Sequence, residues 1–194
     1  MYVIFTYHGI DIARYPAILA HLSAFRPQLE RRATSAQHAW YELQQPQMGI
    51  YPEFERPKIV YPEFAPAPAF AYDLGDGFYV ANKLYVIPTD DLSLLAILNS
   101  AAVAFLLPHV CSLIRGGYIE FRATHLGQIP VPHVPSHQGQ AIAGLVRRLL
   151  ELGGEGSTAA ELANQLNERV YRLFGLSEHE TAWVASRAAS RQEP

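Results

Sequence analysis

The sequence predicts an α+β fold, a small mixed β-sheet with flanking helices followed by a helical C-terminal segment, and three patterns carry that prediction. Apolar residues recur at helical spacing through Ile18, Leu19, Leu22 and Phe25, and again from Leu94 to Phe105. Between Trp40 and Pro88 that period gives way to short apolar segments punctuated by proline and glycine, as strands and turns require. Beyond Pro132 amphipathic helical periods return, broken only by glycines. The expected division is one domain over residues 1–132 and a helical segment over residues 133–194.

The elements follow in order. Tyr2 to Thr6 alternates aromatic and branched side chains and predicts a strand. Pro16 suits a first helical turn, where its missing N–H has no partner to lose, and that helix should end before Pro27. A short helix is expected from Pro27 to Arg32, with Arg26, Arg31 and Arg32 as the densest basic cluster; a solvated face is its plain explanation. Lys58 to Tyr61, Phe78 to Ala81 and Leu84 to Ile87 read as strands, and Asp76-Gly77 is the pair favoured where a hairpin turn needs positive φ. Pro62, Pro66 and Pro68 hold a loop, since none can donate to a ladder. Asp90 or Asp91 caps a largely buried helix expected to run to Pro108, with Asn99 inside it. Arg115-Gly-Gly-Tyr118 turns into a short strand around Ile119 to Phe121, and the prolines keep Gln128 to Pro132 extended. Ile142, Leu145, Val146, Leu149 and Leu150 stripe the next helix. Ser157 or Thr158 caps the following one, with Glu161 completing a capping box if Thr158 is the cap. Ser177 and Glu180 open the last helix, which carries Trp183 and Val184 and frays from Arg187 to Pro194.

A chain of 194 residues that is 49% hydrophobic and 17% charged can bury a real core and does not belong to the disordered class. Its longest apolar stretch, Ala101 to Leu107, falls far short of the roughly 20 residues a membrane span needs. The N-terminus lacks the basic and apolar regions of a secretory signal, so the cytoplasm is the expected location and no membrane partner is expected. Cys111 is the single cysteine, which rules out an internal disulfide and any zinc site of several thiolates. Among the eight histidines, only His109-Val-Cys111 and His133-x-x-x-His137 bring ligand types close along the chain, and Pro135 keeps the second pair off one helix face. No metal is expected.

Phosphate loops, dinucleotide fingerprints, nucleophile elbows and zinc-protease helices are all missing from the sequence. Glu53, Glu55 and Glu63 beside Lys58 could serve a metal-dependent nuclease, which needs carboxylates for the ion and a lysine for developing charge. Such groups must project from a rigid strand, and Pro52 and Pro57 flank the first two. No catalytic residue and no cofactor site are expected in this chain.

Trp40-Tyr-Glu-Leu43, Lys58-Ile-Val-Tyr-Pro62, Leu95-Ala-Ile-Leu-Asn-Ser100, Arg115-Gly-Gly-Tyr118 and Gln128-Ile-Pro-Val-Pro132, in that order over about 130 residues, resemble the TaqI-like C-terminal specificity domain. That domain occurs in bacterial and archaeal DNA adenine methyltransferases, including type IIG restriction enzymes and phage-exclusion methyltransferases. Leu166 to Glu180 resembles the closing helical segment of the same enzymes. The resemblance implies a domain that grips double-stranded DNA and sets the recognised sequence. It also implies a separate methyltransferase catalytic domain or subunit that binds S-adenosylmethionine. The Asn-Pro-Pro-Tyr type motif that holds a flipped adenine is absent here. Against the family's domain the chain also starts late, so an N-terminal truncation is expected.

A base reader needs forked or planar donors for base edges and cations for phosphate. Arg32, Lys58, Lys83, Arg115 and Arg122 are the candidate cations, interleaved with Trp40, Tyr61 and Tyr118. Arg115 is the best placed, because the glycines after it let the backbone approach phosphate while its guanidinium forks toward it. Lys58 contacts phosphate or, equally, guards a strand edge; Trp40 is as well explained by packing. The net charge of −3, with eleven acids beside nine bases before residue 132, predicts weak and strongly salt-dependent binding unless the cations gather on one face. The competing class is a protein-interaction module that docks onto another subunit.

Overall fold

The computed structural model describes residues 3–33, 35–80 and 82–189, and the chain divides into two units, Met1–Glu55 and Arg56–Pro194. In the first, Pro16 takes the opening position of helix α1 (Pro16–Ser23), and α2 (Arg26–Leu29) follows. The strand expected from Tyr2 does not form among the described residues, and Tyr2 itself lies outside them. Instead the Thr6 carbonyl accepts the Leu43 N–H at 2.8 Å and the Thr6 hydroxyl donates to the Tyr41 carbonyl at 2.6 Å. Ile12 is the one buried apolar side chain among the described residues of this unit, so polar bonds carry much of its order.

The second unit holds the core. Its strands are β1 (Lys58–Pro62), β2 (Phe64–Ala65), β3 (Ala71–Asp73), β4 (Leu84–Pro88), β5 (Ser112–Leu113) and β6 (Ile119–Glu120). They form two three-stranded sheets, ordered β3-β1-β4 and β2-β6-β5, with every pairing antiparallel, where the sequence predicts one small mixed sheet. The fold class is α+β as predicted. Phe78 to Val80 is not a strand, and Ala81 lies outside the described residues. Gly75 and Gly77 both take positive φ and hold that stretch as a loop. β3 and β4 therefore flank β1 on opposite edges instead of pairing as a hairpin.

Helices α3 (Leu92–Leu98) and α4 (Ala101–Val110) cross at 65°, where the sequence predicts one helix. Two side chains impose the break. Ser100 caps α4 by accepting the Val103 N–H at 3.2 Å. Asn99 accepts the Phe70 N–H at 3.1 Å and donates to the Phe70 carbonyl at 2.8 Å, fastening the junction to the chain beside β3. Asp91 caps α3 as predicted. After α5 (Ala123–Leu126) come α6 (Ser136–Glu151), α7 (Ser157–Leu173) and α8 (Glu178–Ala189).

Gly156 takes the N-cap of α7 with no side-chain bond, so the Thr158 capping box does not form. The box at α8 does: Ser177 N–H donates to Glu180 at 2.8 Å and Glu180 N–H to Ser177 Oγ at 3.4 Å. Residues 190–194, within the stretch expected to fray, lie outside the described residues. Ile142, Val146, Leu162, Val170 and Val184 join Ile59, Ile97, Val103 and Leu107 in one core, so the boundary expected at residue 132 separates two stretches that share an interior. No single helix among the described residues is long and apolar enough to cross a membrane.

Candidate functional site

The strand-period alternation from Tyr118 to Arg122 builds the candidate site. Ile119 and Phe121 point inward and are buried, which turns Tyr118, Glu120 and Arg122 outward along one line. Phe64 of β2 stands opposite Glu120 of β6 on the same face. Lys83 reaches over the Phe64 ring at 5.8 Å and pairs with Glu63 at 2.5 Å, while Arg122 pairs with Glu120 at 2.8 Å. The face is thus a row of two cations, two carboxylates, Phe64 and Tyr118. Hydrogen bonding from Glu63, and then its charge, raise the Lys83 ammonium above its ordinary value; Glu120 does the same for Arg122. Both cations stay charged and both are largely exposed, at 70% and 63%. Screening makes these pairs weak, and a phosphate oxygen can displace either carboxylate.

One residue stitches this face to the other sheet. Glu63 N–H donates to the Lys83 carbonyl at 3.0 Å, and Phe121 N–H donates to the Glu63 carbonyl at 2.9 Å.

The β5–β6 hairpin carries the remaining candidate. Ile114 N–H donates to the Tyr118 carbonyl at 2.8 Å and Gly117 N–H to the Ile114 carbonyl at 3.2 Å, closing the turn. Gly116 and Gly117 sit at φ 88° and 78°, a region costing other L-residues roughly 1–2 kcal/mol each. Arg115 stands at the tip, exposed, and makes no hydrogen bond or ion pair among the described residues. Tyr118 is 45% exposed at its base, beside the exposed Leu113 and Ile114.

Four expected contacts are placed elsewhere. Lys58 is fully buried, its ammonium paired with Asp73 across the β1–β3 register, so it presents nothing to a phosphate. Burial pushes the Asp73 carboxyl up, but the Lys58 ammonium and the Gly75 and Asp76 N–H groups outweigh it and hold the carboxyl below its ordinary value. Tyr61 is 4% exposed and stacks on Tyr85 at 5.5 Å. In the other unit, Arg32 spends its fork on the Leu29, Trp40 and Glu42 carbonyls. The Trp40 ring is half-buried, with Arg26 over it at 5.1 Å. Of the nuclease set, Lys58 is committed to Asp73 and Glu63 to Lys83, and Glu53 and Glu55 lie on a short 3-10 turn of the first unit.

Sequence reasoning named Glu63 only within the nuclease set and missed Glu120 and Phe64, although alternation through Tyr118-Ile-Glu-Phe-Arg122 signals the face. It weighed His137 only beside His133 and did not bring it together with Arg169 and Arg172, which with it line a 240 Å³ cleft on α6 and α7. A larger cavity of about 360 Å³ lies between Phe70, Tyr72, Leu95, Val146, Leu150 and Asn167. Its amides are committed, Asn99 to Phe70 and Asn167 to the Ala101 N–H at 2.8 Å, and no carboxylate lines it.

The sequence profile of the TaqI-like C-terminal specificity domain matches residues 5–131. The chain is 27% identical over 186 residues to the type II methyltransferase M.XhoI of Xanthomonas vasicola, covering 91% of this chain and 31% of that protein. It is 28% identical over 180 residues to the type II methyltransferase M.PaeR7I of Pseudomonas aeruginosa, covering 88% and 29%. For M.BanIII of Aneurinibacillus aneurinilyticus the identity is 24% over 184 residues, covering 87% and 30%. The chain therefore spans about three-tenths of the length of these relatives. Among solved structures, the type IIL restriction-modification enzyme MmeI in complex with DNA superposes with a TM-score of 0.61 at 16% identity, over 95% of this chain and 28% of that one, which is a likeness of fold.

Proposed function

Because the chain belongs to the TaqI-like C-terminal specificity domain family, we propose that it is the sequence-reading part of a restriction-modification methyltransferase and that its ligand is double-stranded DNA. The observation that carries the reading is the outward row of Lys83, Tyr118 and Arg122 at the base of a glycine hairpin tipped by the exposed Arg115. Arg115 enters first, since its guanidinium has no bond to another of the described residues to break. Lys83 and Arg122 then exchange Glu63 and Glu120 for phosphate oxygens, which fixes register without sequence information. Tyr118 and the loop side chains around the hairpin meet base edges, where sequence is read.

The chemical step belongs to a methyltransferase catalytic domain or subunit with S-adenosylmethionine as cofactor. The lining of the 360 Å³ cavity does not fit that cofactor: it offers no carboxylate for a ribose diol, and its amides are already bonded. The reading places the protein in the cytoplasm, where the DNA is. The exposed apolar pair Leu113 and Ile114 favours a second role for the same hairpin, docking onto the catalytic part.

Titration of duplexes of varied sequence into the chain, followed by fluorescence anisotropy at several salt concentrations, tests the reading. Binding should weaken steeply with salt, and Arg115→Ala should lower the slope of log K against log salt by about 1 with the melting temperature unchanged. Failure of every duplex to bind at low salt, or an unaltered slope in Arg115→Ala, overturns it.

A further inference from the structure

The N-terminal unit contains a group of side chains that duplex reading leaves unused. A ring nitrogen of His8, one of His38 and a carboxylate oxygen of Glu42 lie within 4.8 Å of one another. Imidazole and carboxylate together suit zinc and its first-row neighbours, whereas magnesium and calcium prefer all-oxygen sites.

The surroundings of these groups favour the same occupant. His8 Nε2 lies 2.8 Å from the Leu43 carbonyl oxygen, and His38 Nδ1 lies 3.0 Å from that of Ala39. A ring nitrogen facing a carbonyl carries the proton, so the lone pair rests on Nδ1 of His8 and Nε2 of His38. Backbone carbonyls orient metal-binding histidines in just this manner. Glu42 is buried and its carboxylate is pinned, Oε1 by the Gly9 N–H at 2.6 Å and Oε2 by the Ala39 N–H at 3.0 Å. Each of these oxygens keeps a further lone pair for an ion.

We propose that His8, His38 and Glu42 bind a divalent ion of the zinc class, with a fourth position for water. Bonds of about 2.0–2.2 Å put tetrahedral ligands about 3.3–3.6 Å apart. Closing from 4.8 Å therefore asks for roughly an ångström of side-chain movement. The exposed His8 and half-buried His38 can make it while Glu42 stays fixed. The ion joins the segment around His8 to the segment from His38 to Glu42, in a unit with a single buried apolar residue among those described. Its binding energy becomes folding energy there.

The experiment dialyses the metal-free full chain against micromolar zinc and counts bound metal by atomic emission, with cobalt(II) as a spectroscopic substitute. About one ion per chain, a tetrahedral cobalt absorption band, and a zinc-dependent rise in melting temperature are expected. Glu42→Gln can disturb folding because two amides rest on that carboxylate. The deciding variants are therefore His8→Asn and His38→Asn, checked for native circular dichroism; each should weaken binding by at least about tenfold and abolish the zinc-dependent shift. No bound metal in the parent chain, or undiminished binding in His38→Asn, overturns the site.

Discussion

Replacing Lys58 by methionine separates the buried brace seen in the structure from the phosphate contact that the sequence suggests. The side chain is fully buried, and its ammonium faces Asp73, which is itself 7% exposed. Methionine fills similar volume but leaves the carboxylate without its counter-ion. Breaking one side of a buried pair costs about 3–5 kcal/mol, and the low end applies because Gly75 and Asp76 still donate to Asp73 at 3.0 and 3.1 Å. At roughly 2–4 °C per kcal/mol for a chain of this size, Lys58→Met should melt about 6–12 °C below the parent. Adding Asp73→Asn removes the stranded charge and keeps an acceptor for both amides, so Lys58→Met/Asp73→Asn should recover most of the loss. Urea unfolding of the parent, both single variants and the double variant gives the coupling directly. In duplex titrations below the melting transition, the salt slope of Lys58→Met should match the parent. A loss under about 1 kcal/mol together with a slope reduced by about 1 would refute the brace and restore Lys58 to the interface.

The same ion pair makes stability acid-sensitive. A carboxyl held below its ordinary value contributes stability above the unfolded pKa of about 3.9 and loses it as pH falls through the folded value. The stability difference between the parent and Asp73→Asn should therefore shrink below about pH 4, and a difference that stays constant from pH 6 to about pH 3 contradicts the pairing. At the α3–α4 junction, Asn99→Ala strands the Phe70 N–H and carbonyl in a partly buried site, at a cost of about 2–4 kcal/mol in urea unfolding; a cost below about 0.5 kcal/mol means that water replaces the amide.

What could be read from the sequence was local. Pro16 at the start of α1, the Asp91 cap and the Ser177–Glu180 box each depend on residues within one turn, so spacing alone reveals them. The TaqI-like phrases were legible for another reason, their order along about 130 residues, whereas the local alternation from Tyr118 to Arg122 was there to be read and was not used. The failures share a different cause. The helix break needs Asn99 to find Phe70, 29 residues away, and nothing in the apolar run around it announces that bond. Lys58 looks like an edge cation until Asp73 arrives across the register, and Lys83 looks unpaired until Glu63, 20 residues away, is placed beside it. Phe78 to Val80 has strand composition, but the glycines at 75 and 77 set its path.

The double bond of the Glu63 peptide to both sheets has a kinetic consequence. Its N–H and carbonyl are held from opposite sides, while its carboxylate, 22% exposed, only neutralises Lys83. Exchanging that carboxylate for an incoming anion needs a rotamer change of nanoseconds or less and no rearrangement of the main chain. On the proposed reading, the Glu63–Lys83 exchange adds no main-chain step of its own to an encounter at this face, whose rate should follow ionic strength.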